Sequence, residues 1–321
     1  MPQDIDFFMP FPERISPDVD GARSRSLAWV RRKGLITSLA DEDRIRAWDI
    51  AGLMARWIPG ATGPDLDPAV ENVLLVTMLD DQFDTPHRRE LEEYARICGH
   101  LAELVRPAST TVANGPFALA LKEVWDRLCA GASPLWIQRA ADHYCCYLDG
   151  TLAEAHNRVR RTTPSLDEFM AQRRKSGYVE AMLDLSQKAY GFELPPEAYD
   201  DPTFTRMLEI TVDFVDTVND VHSLEKEEAR GQERDNLVHV IMRETGCSRD
   251  QSITRITRMA EAWIREFIEL ERGIGIGSVL HRFVDCMRSV IRGYLDWSRA
   301  TERYSMIVSA AEPAYGNVLP T

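Results

Sequence analysis

Seven consecutive residues, Val73 to Leu79, are almost wholly apolar and run straight into three aspartates, Asp80, Asp81 and Asp84. The run is introduced by Asp67-Pro68, an N-cap residue followed by proline at the first helical position, so it reads as a helix. Apolar on nearly every side, that helix has to be buried. Asp80 and Asp84 are four apart and project from one face, with Asp81 beside it, just before Thr85-Pro86. Carboxylates at a helix C-terminus meet the negative end of the helix dipole and one another, at a cost of about 0.3–1 kcal/mol apiece even when exposed. A buried helix that ends this way calls for a cation. Ligands that are all oxygen, without histidine or cysteine, favour a hard ion such as Mg2+, which readily shares its shell with phosphate. Taken alone, D-D-x-x-D is equally compatible with a solvated acidic helix end, and the missing glycine and downstream glutamate exclude an EF-hand.

The remaining segments also show helical periodicity, broken by proline, glycine or capping residues, so the expected fold is all-α. Helices are expected over about 22–33, 41–57, 67 to the aspartates, 87–104, 114–130, 134–160, 165–191, 202–231, 235–245, 249–272 and 278–303. Gly273-Ile274-Gly275-Ile276-Gly277 has the wrong spacing for a phosphate loop and no strand before it, so it reads as an interhelical turn. With no repeat and only short loops, residues 1–321 are expected to form a single domain, with 1–20 and 306–321 irregular or flap-like.

Charge narrows the partners. Against 38 basic residues stand 51 acidic ones, a formal net charge of -13, which disfavours nucleic acid and anionic lipid. A diphosphate would need divalent cations to bridge it to such a surface. The six cysteines contain no C-x-x-C pair and the seven histidines no H-E-x-x-H, so zinc and redox motifs are absent. The N-terminus lacks a basic start and an unbroken apolar run, and no stretch approaches the roughly 20 apolar residues of a membrane span. The expectation is a cytoplasmic protein with no membrane insertion and reduced cysteines.

A second constellation lies in Asn219-Asp220-Val221-His222-Ser223-Leu224-Glu225-Lys226-Glu227. Asn219, Ser223 and Glu227 recur every four residues, so an amide oxygen, a hydroxyl and a carboxylate share one helical face and compose a second hard-metal site. Lys226 points to nearly the same face and can meet an anion held there. Local ion pairing at an exposed helix end accounts for Glu225 and Glu228 and is an alternative for Lys226, but not for Asn219 and Ser223.

Together, Asp80-Asp81-Gln82-Phe83-Asp84 and Asn219-x-x-x-Ser223-x-x-x-Glu227 resemble the metal-binding motifs of bacterial class I terpene synthases. The resemblance runs from Pro10-Phe11-Pro12 and Trp29-Val30-Arg31-Arg32 to Trp297 and Arg303-Tyr304, and is strongest with sesquiterpene cyclases of the pentalenene-synthase type. It implies an α-helical barrel in which three Mg2+ ions hold the substrate diphosphate, with Asp80 and Asp84 serving the first site and Asn219, Ser223 and Glu227 the second, and it leaves open whether Asp81 is a direct ligand. It further implies that Arg173 senses the diphosphate, that Gly177 marks a helix break responsive to substrate, and that Arg303 and Tyr304, ending the last helix, close over the diphosphate. Glycine inside a helix costs about 1 kcal/mol relative to alanine, which fits a break at Gly177 or a close approach there.

The chemistry expected is ionisation of an allylic C–O bond, with Arg173, Lys226, Arg303 and Tyr304 stabilising the departing charge. Phe83, Phe214, Trp297 and Tyr178 are candidate linings for the cation, although aromatics in helices usually pack in the core. Relatives often carry aromatic residues where this chain has Val76 and Thr77, which leaves more room and fewer π faces. Farnesyl diphosphate is expected as substrate by resemblance. A diterpene synthase using geranylgeranyl diphosphate, a chain-elongating prenyltransferase and a non-catalytic prenyl-diphosphate-binding protein are the alternatives. Oligomeric state, a homodimer included, is left open.

Overall fold

The structure is a computed structural model that describes residues 2–83 and 91–304. Among them are thirteen α-helices and no strand, as the periodicity requires. In chain order these are α1 (Val19–Arg32), α2 (Leu39–Trp48), α3 (Ile50–Trp57), α4 (Asp67–Phe83), α5 (Leu91–Val105), α6 (Gly115–Cys129), α7 (Pro134–Arg160), α8 (Leu166–Ser176), α9 (Val179–Ala189), α10 (Pro202–Ala229), α11 (Leu237–Thr245), α12 (Arg249–Glu271) and α13 (Val279–Ala300).

Two helices carry the architecture. In α10 the side chains from Ile210 to Val218 are all buried, so this helix has no solvent face over more than two turns and packs against α8, α12 and α13. In α4 every residue from Ala69 to Leu79 is buried, against α1, α3 and α6. Both then emerge from the core at their C-terminal ends, and those ends carry the carboxylate run and the Asn219 face.

The expected boundaries need three corrections. The segment 41–57 is two helices: Asp49 takes a left-handed conformation (φ 48°), ends α2, and caps α3 by accepting from the Gly52 amide at 3.1 Å. A Cβ on Gly52 would lie 2.1 Å from that carboxylate, so glycine makes the cap feasible. The segment 165–191 also breaks, at Tyr178 (φ 63°), between α8 and α9. Arg303 and Tyr304 do not end α13; the helix stops at Ala300 and Thr301 is its C-cap. The residues before α1 include a 3-10 turn at Pro2–Asp4 and are held in place, with Phe7 and Phe11 buried in the core. Residues 306–321 lie outside the described residues. Among the described residues no helix is long and apolar enough to cross a membrane.

The α3–α13 contact is close enough to test. A Cβ on Gly293 would sit 2.8 Å from the carbonyl carbon and oxygen of Arg56, both backbone atoms that cannot swing away. Gly293→Ala should therefore lower the unfolding free energy by about 1–3 kcal/mol in urea titrations, the usual cost of overpacking.

Candidate active site

A cavity of about 180 Å³ lies between α3, α4, α7, the α8–α9 break, α10 and the chain beyond α13. Its apolar part includes Val76, Thr77, Tyr147, Tyr178, Met182 and Trp297. Thr77 donates its hydroxyl to the Val73 carbonyl at 2.8 Å, so its polarity is satisfied within its own helix. The rings of Tyr147 and Tyr178 meet edge-to-face with centroids 4.9 Å apart, and the Tyr178 hydroxyl donates to Asn72 at 2.6 Å. The Trp297 indole is fixed by donating to the Trp48 and Asp49 carbonyls at the α2–α3 break, both at 3.0 Å. Of the aromatic linings expected from sequence, Trp297 and Tyr178 reach the cavity. Phe214 does not: it is fully buried and packs on Phe7 (6.0 Å). The side chain of Phe83, like the whole of Asp84, lies outside the described residues.

At the mouth, the ends of α4 and α10 face each other. Arg303 places Nη2 3.1 Å from Asp80 Oδ2 and 3.0 Å from Asp81 Oδ1, and Lys226 Nζ lies 3.7 Å from that same Asp81 oxygen, with Arg230 at 4.0 Å. The two aspartates differ sharply: the Asp80 side chain is 48% exposed, that of Asp81 only 6%. Burial pushes the Asp81 carboxyl up, but the combined field of Arg303, Lys226, Arg230 and Arg44 more than reverses this and holds it below the usual range.

On α10, the face expected from the four-residue spacing is formed. Asn219 accepts from Arg173 Nη2 at 2.8 Å and donates to the hydroxyls of Tyr294 (2.7 Å) and Tyr304 (3.0 Å). Ser223 donates to Glu227, whose other oxygen accepts from Asn236 at 2.9 Å. Burial, then the nearby Asp220, push the Glu227 carboxyl up to about 7. Arg173 also pairs with Asp220 at 3.0 Å, whereas Arg174 turns the other way and grips Asp213 with two hydrogen bonds, 2.6 and 2.8 Å. The inward arginine is therefore Arg173. Gly177 has an ordinary helical φ of -71°, and its need for glycine is spatial, since a Cβ there would meet Asp216 Oδ1 at 2.1 Å.

Several cavity residues carry no sequence signal. Glu154 receives a hydrogen bond from Ser176, and burial raises its carboxyl to about 7. Arg158 pairs with Asp235 at 3.0 Å, and Tyr294 bonds Asn219 and Tyr304. Glu154 and Arg158 stand four apart on α7, a spacing that any surface helix shows. The donors gathered at the mouth, Asp80, Asn219, Ser223 and Glu227, offer oxygen atoms, with no histidine or cysteine among them. These residues fit a hard metal ion.

The family model "Terpene synthase family 2, C-terminal metal binding" matches residues 71–266, from within α4 to within α12. The chain is also 36% identical over 329 residues to pentalenene synthase of Streptomyces exfoliatus, covering 98% of this chain and 97% of that protein. The chain belongs to the bacterial class I terpene synthases. This synthase is 30% identical over 326 residues to the 7-epi-alpha-eudesmol synthase ((2E,6E)-farnesyl diphosphate cyclizing) of Streptomyces viridochromogenes, across 95% of this chain and 93% of that one. Its fold matches the crystal structure of linalool/nerolidol synthase from Streptomyces clavuligerus in complex with 2-fluorogeranyl diphosphate, with a TM-score of 0.81, 30% identity, and coverage of 94% of this chain and 100% of the other. As a member of the family, the synthase is a lyase that binds a prenyl diphosphate and uses a divalent metal.

The opposite orientations of the two adjacent arginines separate site from scaffold. Arg173→Ala should lower turnover on the order of 100-fold, because it removes a fixed cation from the mouth and unpairs buried Asp220. Arg174→Ala should leave turnover within about twofold and cost about 3 kcal/mol of stability, because it unpairs the buried Asp213 carboxylate. Steady-state kinetics and urea unfolding of both variants check the contrast.

Proposed function

We propose that the synthase ionises farnesyl diphosphate with Mg2+ and cyclises the allylic cation to a sesquiterpene hydrocarbon or alcohol, releasing diphosphate. The observation that carries this reading is a single cavity with cations and oxygen donors at its mouth and tyrosine and tryptophan rings in its apolar part. Asp80 with Asp84, and Asn219 with Ser223 and Glu227, would hold the metal, for which three ions are expected. When bound, the metal neutralises the charge of the leaving diphosphate.

The chain's own residues do the rest. Arg303 and Lys226, which both lie on Asp81, are within a side-chain rotation of an anion at the mouth, and Arg173 is held charged by Asp220. As the allylic C–O bond breaks, its electron pair goes to the diphosphate oxygen, where these cations and the Tyr304 hydroxyl stabilise it. No protein nucleophile is needed. The organic cation is left among Tyr147, Tyr178 and Trp297, whose π faces attract positive charge and whose hydroxyls and indole N–H are engaged elsewhere. A proton is then lost to give a hydrocarbon, or water adds to give an alcohol.

A C15 substrate is supported over a C20 one. Val76 and Thr77 are small, but Tyr147 and Tyr178 occupy the same cavity, with the Tyr147 hydroxyl 3.5 Å from the Val76 carbonyl. The 7-epi-alpha-eudesmol synthase to which the chain is similar is a farnesyl diphosphate cyclase by its name.

Incubation with geranyl, farnesyl and geranylgeranyl diphosphates and Mg2+, followed by analysis of volatile products, should show farnesyl diphosphate turned over with a kcat/KM at least about tenfold above the others. Absence of any terpene from all three would sink the cyclase reading, and condensation with isopentenyl diphosphate would point to chain elongation. Asn219→Leu should abolish metal-dependent turnover, by on the order of 100-fold or more, with helical circular dichroism preserved. Near-normal activity would reject Asn219 as a ligand.

A further inference from the structure

We propose that Gln3 is a positioning residue for the diphosphate site: its side-chain amide caps the C-terminus of α13 and so fixes the two residues, Arg303 and Tyr304, that follow it into the mouth. The inference rests on the proposed role of Arg303 at the diphosphate. The last carbonyls of an α-helix have no partner within the helix, and where they find one decides the direction of the departing chain. Gln3 Nε2 donates to the carbonyls of Ser298 (2.8 Å) and Thr301 (3.0 Å), bridging the last turn of α13 to its C-cap. No glycine or left-handed residue ends this helix; Thr301 is extended (φ -69°, ψ 144°), so the cap comes from a residue 298 positions away in sequence.

The capped turn is tied directly to the mouth. Thr301 donates its hydroxyl to the Ala47 and Trp48 carbonyls, both at 3.0 Å, and accepts from the Arg303 amide at 3.2 Å. Glu302 donates its amide to Ala47 at 3.1 Å, and the Arg303 guanidinium lies 5.0 Å from the centre of the Trp48 ring before reaching Asp80 and Asp81. The backbone from Thr301 to Arg303 thus has one set of partners on α2 and another on Gln3.

The segment carrying Gln3 is itself anchored. The Phe7 ring packs on Phe214 and on His222 (5.8 Å), Asp6 pairs with Arg299 at 3.1 Å, and the Ile5 carbonyl also accepts from Arg299. The Ser298 hydroxyl lies 3.0 Å from the Leu295 carbonyl and 2.8 Å from His222 Nδ1. His222 adjoins Ser223 on α10. The N-terminal segment therefore touches both the end of α13 and the helix bearing the Asn219 face, behind the cavity rather than in it.

The test uses the full chain with Mg2+ and measures binding of inorganic pyrophosphate by calorimetry, together with the ratio of acyclic to cyclic products from farnesyl diphosphate. Gln3→Leu, which keeps bulk and loses the donor, should weaken pyrophosphate binding about fivefold to tenfold and raise the acyclic alcohol fraction, because a displaced Arg303 admits water. Gln3→Glu, which sets a carboxylate against those carbonyls, should do the same or more. Arg14→Ala, which breaks only the exposed pair with Asp285 on the same segment, should change neither readout. Pyrophosphate binding within about twofold of the parent in both Gln3 variants, while Arg303→Ala is weakened, overturns the assignment, and so does an equal loss in Arg14→Ala. Parent-like binding in Arg303→Ala would instead locate the failure in the role of Arg303, on which this inference depends.

Discussion

The carboxylate of Asp81 is the interaction on which the rest of the mouth depends. It is 6% exposed and sits at the end of a helix dipole of the wrong sign, so an unpaired charge there would cost several kcal/mol. Three elements supply the compensation: Lys226 and Arg230 from the end of α10, Arg303 from the chain beyond α13, and Arg44 from α2. The pairing draws α4, α10 and the C-terminal chain to one point, and it holds two of the cations that the proposed reaction needs within reach of a bound diphosphate. Asp80, one residue earlier and half exposed, keeps an oxygen directed at the cavity mouth.

The apolar half of the site follows from where helices are interrupted. The carbonyls at the Asp49 break orient Trp297, and the break at Tyr178 turns that ring toward Tyr147 and Asn72. Gly177 allows the second break to lie directly on Asp216. The consequence is that π faces reach the cavity from α7, from the α8–α9 break and from α13, although the α4 positions Val76 and Thr77 offer none.

What could be read from the sequence divides along physical lines. Burial of α4 was legible because a helix apolar on nearly all sides has only one stable environment. The Asn219, Ser223 and Glu227 face was legible because a four-residue spacing on one helix is a local property. The helix break at Asp49 was not, since the residue is non-glycine and its left-handed backbone is imposed by a cap; the break between α8 and α9 was expected at Gly177 through the family resemblance alone, and the left-handed residue is its neighbour Tyr178. Phe214 packs on Phe7 and not on the cavity because a buried helix can bury an aromatic on any side, and periodicity alone does not say which side is the cavity. Glu154, Arg158, Asp235 and Gln3 were invisible for another reason: their partners lie on other segments, and ordinary charged or polar residues acquire such roles only when the chain is folded.

The central claim is that charge gathered around Asp81 and the α10 face makes an allylic diphosphate ionise. It is tested most directly by following pyrophosphate release from farnesyl diphosphate alongside terpene formation, with and without Mg2+. Metal-dependent release matched one-for-one by a cyclic sesquiterpene is the expected result. Metal-independent release, or release with only farnesol as the organic product, would contradict it.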